Sequence, residues 1–235
     1  MPVEAAAEEF KVDNEAADGC EAGIRSRSMG DGGSLVPISD EQAKAIQEAL
    51  KTLQGVGGFL KETLGTVPQD LVGYLGGDWL RVRRVENIAR ILEKANERMK
   101  ARKAKAQEPV SLSITLPLLR AAADESRDEL QDLWARLLAA AADPSRAGSF
   151  RLAFIDAAKK MDPLDAAVLH VAQADRGGRI SGEDQNSTAA SLHVSRDEVD
   201  VSASNLEKLG CVLEVNTQTK VISPFGREFL RTVSG

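Results

Sequence analysis

Apolar positions recur most regularly in DELQDLWARLLAAAADP, where Leu130, Leu133, Trp134, Leu137, Leu138 and Ala141 stand three and four residues apart. That spacing predicts a helix with one broad face in a core. Asp124, Glu125, Asp128 and Glu129 precede or open it, where the helix dipole favours negative charge, and Asp143-Pro144 stops it. A second stripe, Val85, Ile88, Ala89, Leu92, Ala95 and Met99, predicts a long helix from near Asp78 to near Ala106, closed by Pro109. Shorter helices are expected from Ser113 or Thr115 with Pro117 in the first turn, behind Ser149 as a cap, and from Asp162-Pro163. Upstream, Ser39 and Gln42 form a capping-box start for a helix carrying Ile46, Ala49, Leu50 and Leu53. The following stretch, QGVGGFLKETLGTVPQDLVGYLGGDWL, reads as short helices joined at glycines.

The pattern changes near the C-terminus. SRDEVDVSASNLEKLG follows a shorter helical stretch and has a capping box at Ser195 and Glu198, an apolar face of Val199, Ala203, Leu206 and Leu209, and a stop at Gly210. CVLEVNTQTKVIS then reads as two β-branched runs around a polar turn, and Ser223-Pro224 starts a last helix. This is a winged-helix pattern. The expected fold is mainly α: a disordered acidic tail and linker over 1–38, a helical domain over 39–160, and a winged-helix-like domain with a small β-hairpin over 161–235.

Charge alters what the winged helix is expected to do. Its second helix carries Asp197, Glu198, Asp200 and Glu207 against Arg196 and Lys208, and the hairpin offers Lys220 against Glu214. A DNA-reading face needs cations for phosphates and amide or guanidinium groups for base edges. Packing or protein binding is therefore expected of it, and nucleic-acid binding is not. The whole chain, at −6, is also unsuited to non-specific nucleic-acid binding.

Two segments concentrate opposite charge. Residues 1 to 22 hold seven acids and one base, and with the Gly/Ser-rich run behind them bury too little apolar surface to offset chain entropy. From Arg81 to Lys105 there are ten bases and three acids. On a helical wheel Arg83, Arg90, Lys94, Arg98 and Lys105 share one flank, which is either a solvated charged face or a stripe for an anionic partner. The tail is expected to cover this stripe until a competing anion displaces it.

Three stretches together, GDWLRVRRVENIARILEKA, LPLLRAAADESRDELQDLWARLLAAAADP and the closing ISPFGREFL, resemble the abortive infection alpha (Abi-alpha) family, over about Gly55 to Leu230. The resemblance implies a role in bacterial defence against phage, in which the infected cell is disabled. It implies no catalytic residues.

Candidate chemistry leaves little beyond this. A helical ribonuclease site wants an arginine within about a turn of a histidine, and neither His170 nor His193 has one in the six residues before it. The GVGG and GYLGGD runs lack the lysine and hydroxyl of a phosphate-binding loop. Asp124, Glu125, Asp128, Glu129 and Asp132 read as a dipole-complementing helix start rather than metal ligands. Cys20 and Cys211 match neither a disulfide framework nor a zinc site, which suits a reducing cytosol, and MPVEAAAEEF is acidic where a secretion signal would be basic and then hydrophobic. The expectation is a cytoplasmic interaction protein of anti-phage defence with no catalytic, metal or cofactor site, whose partner is a protein or a phage component. The rivals are a membrane-disturbing toxic effector using the glycine-rich helices around residues 50–80 and a winged-helix transcription regulator, and peripheral membrane contact stands as a further partner option.

Overall fold

The computed structural model describes residues 79–102, 110–174, 178–216 and 219–234, together with Lys44. The acidic tail, the glycine-rich stretch up to Asp78 and Lys105 lie outside the described residues, as does all but Lys44 of the helix expected behind Ser39. The described residues from 79 onward belong to one compact unit, mainly helical, with a small antiparallel sheet.

Helix α1 (Trp79–Ala101) buries Val85, Ile88, Leu92, Ala95 and Met99, the face its spacing predicts. It packs along α3 (Asp128–Ala142), of whose fifteen residues eleven are buried, Trp134 among them. Helix α2 (Leu112–Ala123) closes over both. Here the structure corrects the sequence reading: the helix begins after Ser111, whose carbonyl accepts from the amides of Ile114 and Thr115, and Pro117 stands in its interior instead of its first turn. A proline there forfeits one backbone hydrogen bond, which the full burial of Leu118, Leu119 and Ala122 offsets.

Asp143 caps the short helix α4 (Pro144–Ala147) by accepting from the Ser145 amide at 2.9 Å. Ser149 does not cap the next helix, α5 (Leu152–Lys159). Its hydroxyl donates back to the Arg146 carbonyl at 2.8 Å, and α5 opens after Arg151. Helix α6 (Pro163–Ala174) starts at Asp162-Pro163 as its sequence indicates.

The remainder runs β1 (Arg179–Ser181), α7 (Gly182–Leu192), α8 (Arg196–Lys208), β2 (Val212–Asn216), β3 (Thr219–Ile222) and α9 (Pro224–Val233). The strands lie in the order β1-β3-β2, all antiparallel. The Ser195–Glu198 capping box is present in both directions. At the other end of α8, the Cys211 amide donates to Leu206 and the Gly210 amide to Glu207, with Gly210 at φ 74°. This is the Schellman geometry that lets a glycine end a helix. Strand β1 has no counterpart in the sequence reading, because three residues are too short a run for a period to show.

One hydrophobic cluster extends from Val85 to Val233 and includes buried residues on both sides of residue 160. Phe154 of α5 lies against Phe225 and Phe229 of α9, with ring centroids 5.3 Å and 5.7 Å apart. Among the described residues no helix is long and apolar enough to cross a membrane.

Candidate anion-binding site

The flank of α1 expected to form a basic stripe borders the buried face, and its members part company there. Arg83 is exposed and pairs with Glu86 at 3.5 Å on its own helix, and Arg90 is exposed. Lys94 and Arg98 sit closer to the core edge and turn onto α3. The Lys94 ammonium donates to the Asp128 carbonyl at 3.4 Å, and Arg98 pairs with Asp132. Lys105 lies outside the described residues. The stripe thus divides into an open outer part and an inner part joined to α3.

The inner part continues into a cluster that sequence spacing does not reveal. Arg136, one turn beyond Asp132 on α3, donates Nε to the other oxygen of that carboxylate at 2.8 Å and Nη1 to the Val233 carbonyl at 3.2 Å. Arg146 of α4 donates Nη1 to the Ser234 carbonyl at 2.9 Å and lies 3.8 Å from Asp143. Arg102, one turn beyond Arg98, completes the group. Four guanidiniums therefore face two carboxylates, with the carboxyl end of α9 supplying carbonyls.

Both terminal nitrogens of Arg102, and Nε of Arg98, are buried without a hydrogen-bond partner among the described residues. Buried donors left unmade cost about 1–3 kcal/mol each, and more when charged. The Arg102 guanidinium is held below its ordinary pKa, first by burial and then by the charge of Arg146, which outweighs the attraction of Asp143; Arg98 and Arg136 add to the repulsion. Asp132 shows the converse. Burial pushes its pKa up, but hydrogen bonds from Arg136 and Arg98 outweigh that and hold it below the usual aspartate value. The cluster is thus short of negative charge, and a carboxylate or phosphate placed there would meet planar forks of N–H donors suited to it.

The other residues weighed for chemistry are not members of the cluster. His193 occupies the turn after α7 at φ 56°. His170 is exposed on α6, beside a crevice of about 260 Å³ that Asp132 and Arg136 also line. Cys211 is fully buried, and burial together with the nearby Asp165 carboxylate pushes its thiol up to about 12. Asp124 pairs with Arg84 at 2.6 Å, while Glu125 accepts from Arg127 at 2.9 Å. These acids bind neighbouring arginines, and no group able to hold a metal occurs among the described residues.

A family model described as abortive infection alpha matches residues 83–233, from the first turns of α1 to the last residue of α9. The chain belongs to the abortive infection alpha family. All four arginines of the cluster fall within the stretch that defines this abortive infection alpha protein. Neither a curated protein nor a solved structure matches it.

Proposed function

We propose that this abortive infection alpha protein is a cytoplasmic, non-enzymatic component of bacterial anti-phage defence, which docks an acidic or phosphorylated group of a protein partner, host or phage, in the arginine cluster of α1, α3 and α4. Arg102 carries the reading: a guanidinium whose terminal nitrogens are buried with no partner among the described residues is a standing cost to the fold, and such costs are characteristic of sites kept for binding. The outer residues Arg83 and Arg90, solvent-facing on the same helix, steer the approach of an anionic surface.

We read the order α6, β1, α7, α8, β2, β3, α9 as a winged helix, with α8 in the position of a DNA-reading helix. Three of its acids, Asp197, Glu198 and Asp200, are exposed, and Lys220 is engaged by Glu207 at 2.8 Å. Phosphates would be repelled by that face, so the element serves packing and protein contact in this reading. A gel shift with the full chain tests it: sequence-selective duplex binding tighter than about 1 μM would favour a transcription regulator instead.

The defence role is tested by plaque counts on cells with the wild type, with Arg102→Gln and without the protein, across a panel of phages, with pull-downs from infected cells. Wild type should lower plaque counts and retain a partner. Arg102→Gln should melt no lower than wild type, because it removes a buried charge that has no partner among the described residues, yet lose both protection and partner. A wild type that changes no plaque count refutes the defence role, and full protection by Arg102→Gln refutes the cluster.

A further inference from the structure

A cleft of about 480 Å³ opens where the end of α6 and the residue before β1 meet the end of β3, one side of α9 and Arg146 of α4. Ile222 and Leu230 give it an apolar floor, and Arg146, Arg227 and Arg231 stand in its walls with no carboxylate among the described lining residues. Each guanidinium is only partly engaged. Arg146 donates Nη1 to the Ser234 carbonyl at 2.9 Å, Arg227 donates Nη1 to the Ile222 carbonyl at 2.7 Å, and Arg231 pairs with Glu228 of its own helix at 2.5 Å. The remaining nitrogens of Arg227 have no partner among the described residues. Among the described residues its charge therefore lacks a matching acid, while Arg146 and Arg231 have one each in Asp143 and Glu228. Gln173 and Ser234, joined by a 3.4 Å hydrogen bond, supply a neutral polar edge.

This combination specifies a ligand class. Small-molecule sites run from about 300 to 1,000 Å³, mostly apolar with a few convergent polar groups. Three guanidiniums around one opening, one of them without a matching acid among the described residues, present planar forks of N–H donors that suit the several oxygens of a phosphate. The apolar floor suits a flat, weakly polar body attached to that phosphate. We propose that the cleft binds a small phosphorylated ligand with the chemistry of a nucleoside monophosphate. The inference goes beyond partner docking and does not rest on it. Arg146 borders both places, but Arg227 and Arg231 line only the cleft, so variants at those two leave the docking cluster intact.

The test is isothermal titration calorimetry on the full chain with the four nucleoside 5′-monophosphates, adenosine and inorganic phosphate as separate probes. At least one nucleotide should bind more tightly than either adenosine or phosphate. Arg227→Gln and Arg231→Gln should each weaken it by about tenfold, with melting temperatures unchanged, and Lys159→Gln at the exposed end of α5 should have no effect. No saturable nucleotide binding up to about 10 mM overturns the proposal. So does inorganic phosphate binding as tightly as any nucleotide, or an affinity indifferent to Arg227→Gln and Arg231→Gln. Plaque protection can fail independently, because it reads Arg102 and the partner.

Discussion

Gly226 is a residue that nothing larger can replace. An added Cβ would stand 2.0 Å from the carbonyl oxygen of Cys211 and 3.0 Å from Cγ2 of Ile222. The close approach has a cause: the Ser223 amide donates to that same Cys211 carbonyl at 2.9 Å, and the Ser223 hydroxyl donates to the Gly210 carbonyl at 2.5 Å while accepting from the Gly226 amide at 2.8 Å. The first turn of α9 is thus tied onto the turn that ends α8, and a backbone oxygen cannot step aside as a side chain can. Gly226→Ala should cost about 3 kcal/mol or more, which thermal unfolding would register as a fall of about 10 °C. Asp132 offers a second measurement at this scale. Its folded pKa lies below the unfolded value of about 3.9, so its contribution is complete above that value and is lost as pH falls through the folded pKa. The side chain is one-third exposed, and solvent screening keeps its worth near about 1 kcal/mol. Denaturant titrations at neutral pH and near pH 3 should show the wild type losing more stability on acidification than Asp132→Asn does.

Among elements, α3 is the one on which the rest are built, and Trp134 is its largest fully buried side chain. Trp134→Ala removes a buried aromatic at about 3–5 kcal/mol, and should give a chain that is insoluble or melts far below wild type; normal melting with loss of partner binding alone would make Trp134 a contact residue. The faces of α1, α3 and α8 were legible because each is long enough for a 3.6-residue period to repeat, and the Ser195–Glu198 box because both halves are local. Pro117 and Ser149 misled for the opposite reason. Local rules put a proline in a first turn and a serine at a cap, but burial of Leu118 and Leu119 and the carbonyl of Arg146 decided otherwise. The candidate site was half legible. Arg98 stood out on the basic helix, whereas Arg136 and Arg146 come from elements whose approach to it no spacing encodes. The local signals available were the Asp132–Arg136 pair, four residues apart at the edge of the apolar stripe, and the Asp143–Arg146 pair, three apart.

At the scale of the molecule, the buried cluster has no break near residue 160. Phe154, on one side, is 1% exposed because Phe225 and Phe229 of α9 and Phe150 cover it, and the arginines Arg136 and Arg146 bond the last carbonyls of α9. Helix α9 therefore belongs equally to the helices before it and to the sheet beside it. Cooperative units share their contacts, so the described fold should unfold by heat in one transition, with calorimetric and van't Hoff enthalpies in agreement. Phe154→Ala sharpens the test. It deletes a contact between α5 and α9 at about 3–5 kcal/mol, and should lower that transition as a whole without splitting it. Two resolved transitions in the wild type, or a Phe154→Ala variant in which residues 161–235 melt at the wild-type temperature while the rest melts earlier, would mean that the C-terminal part folds on its own core and that α9 merely rests against α5.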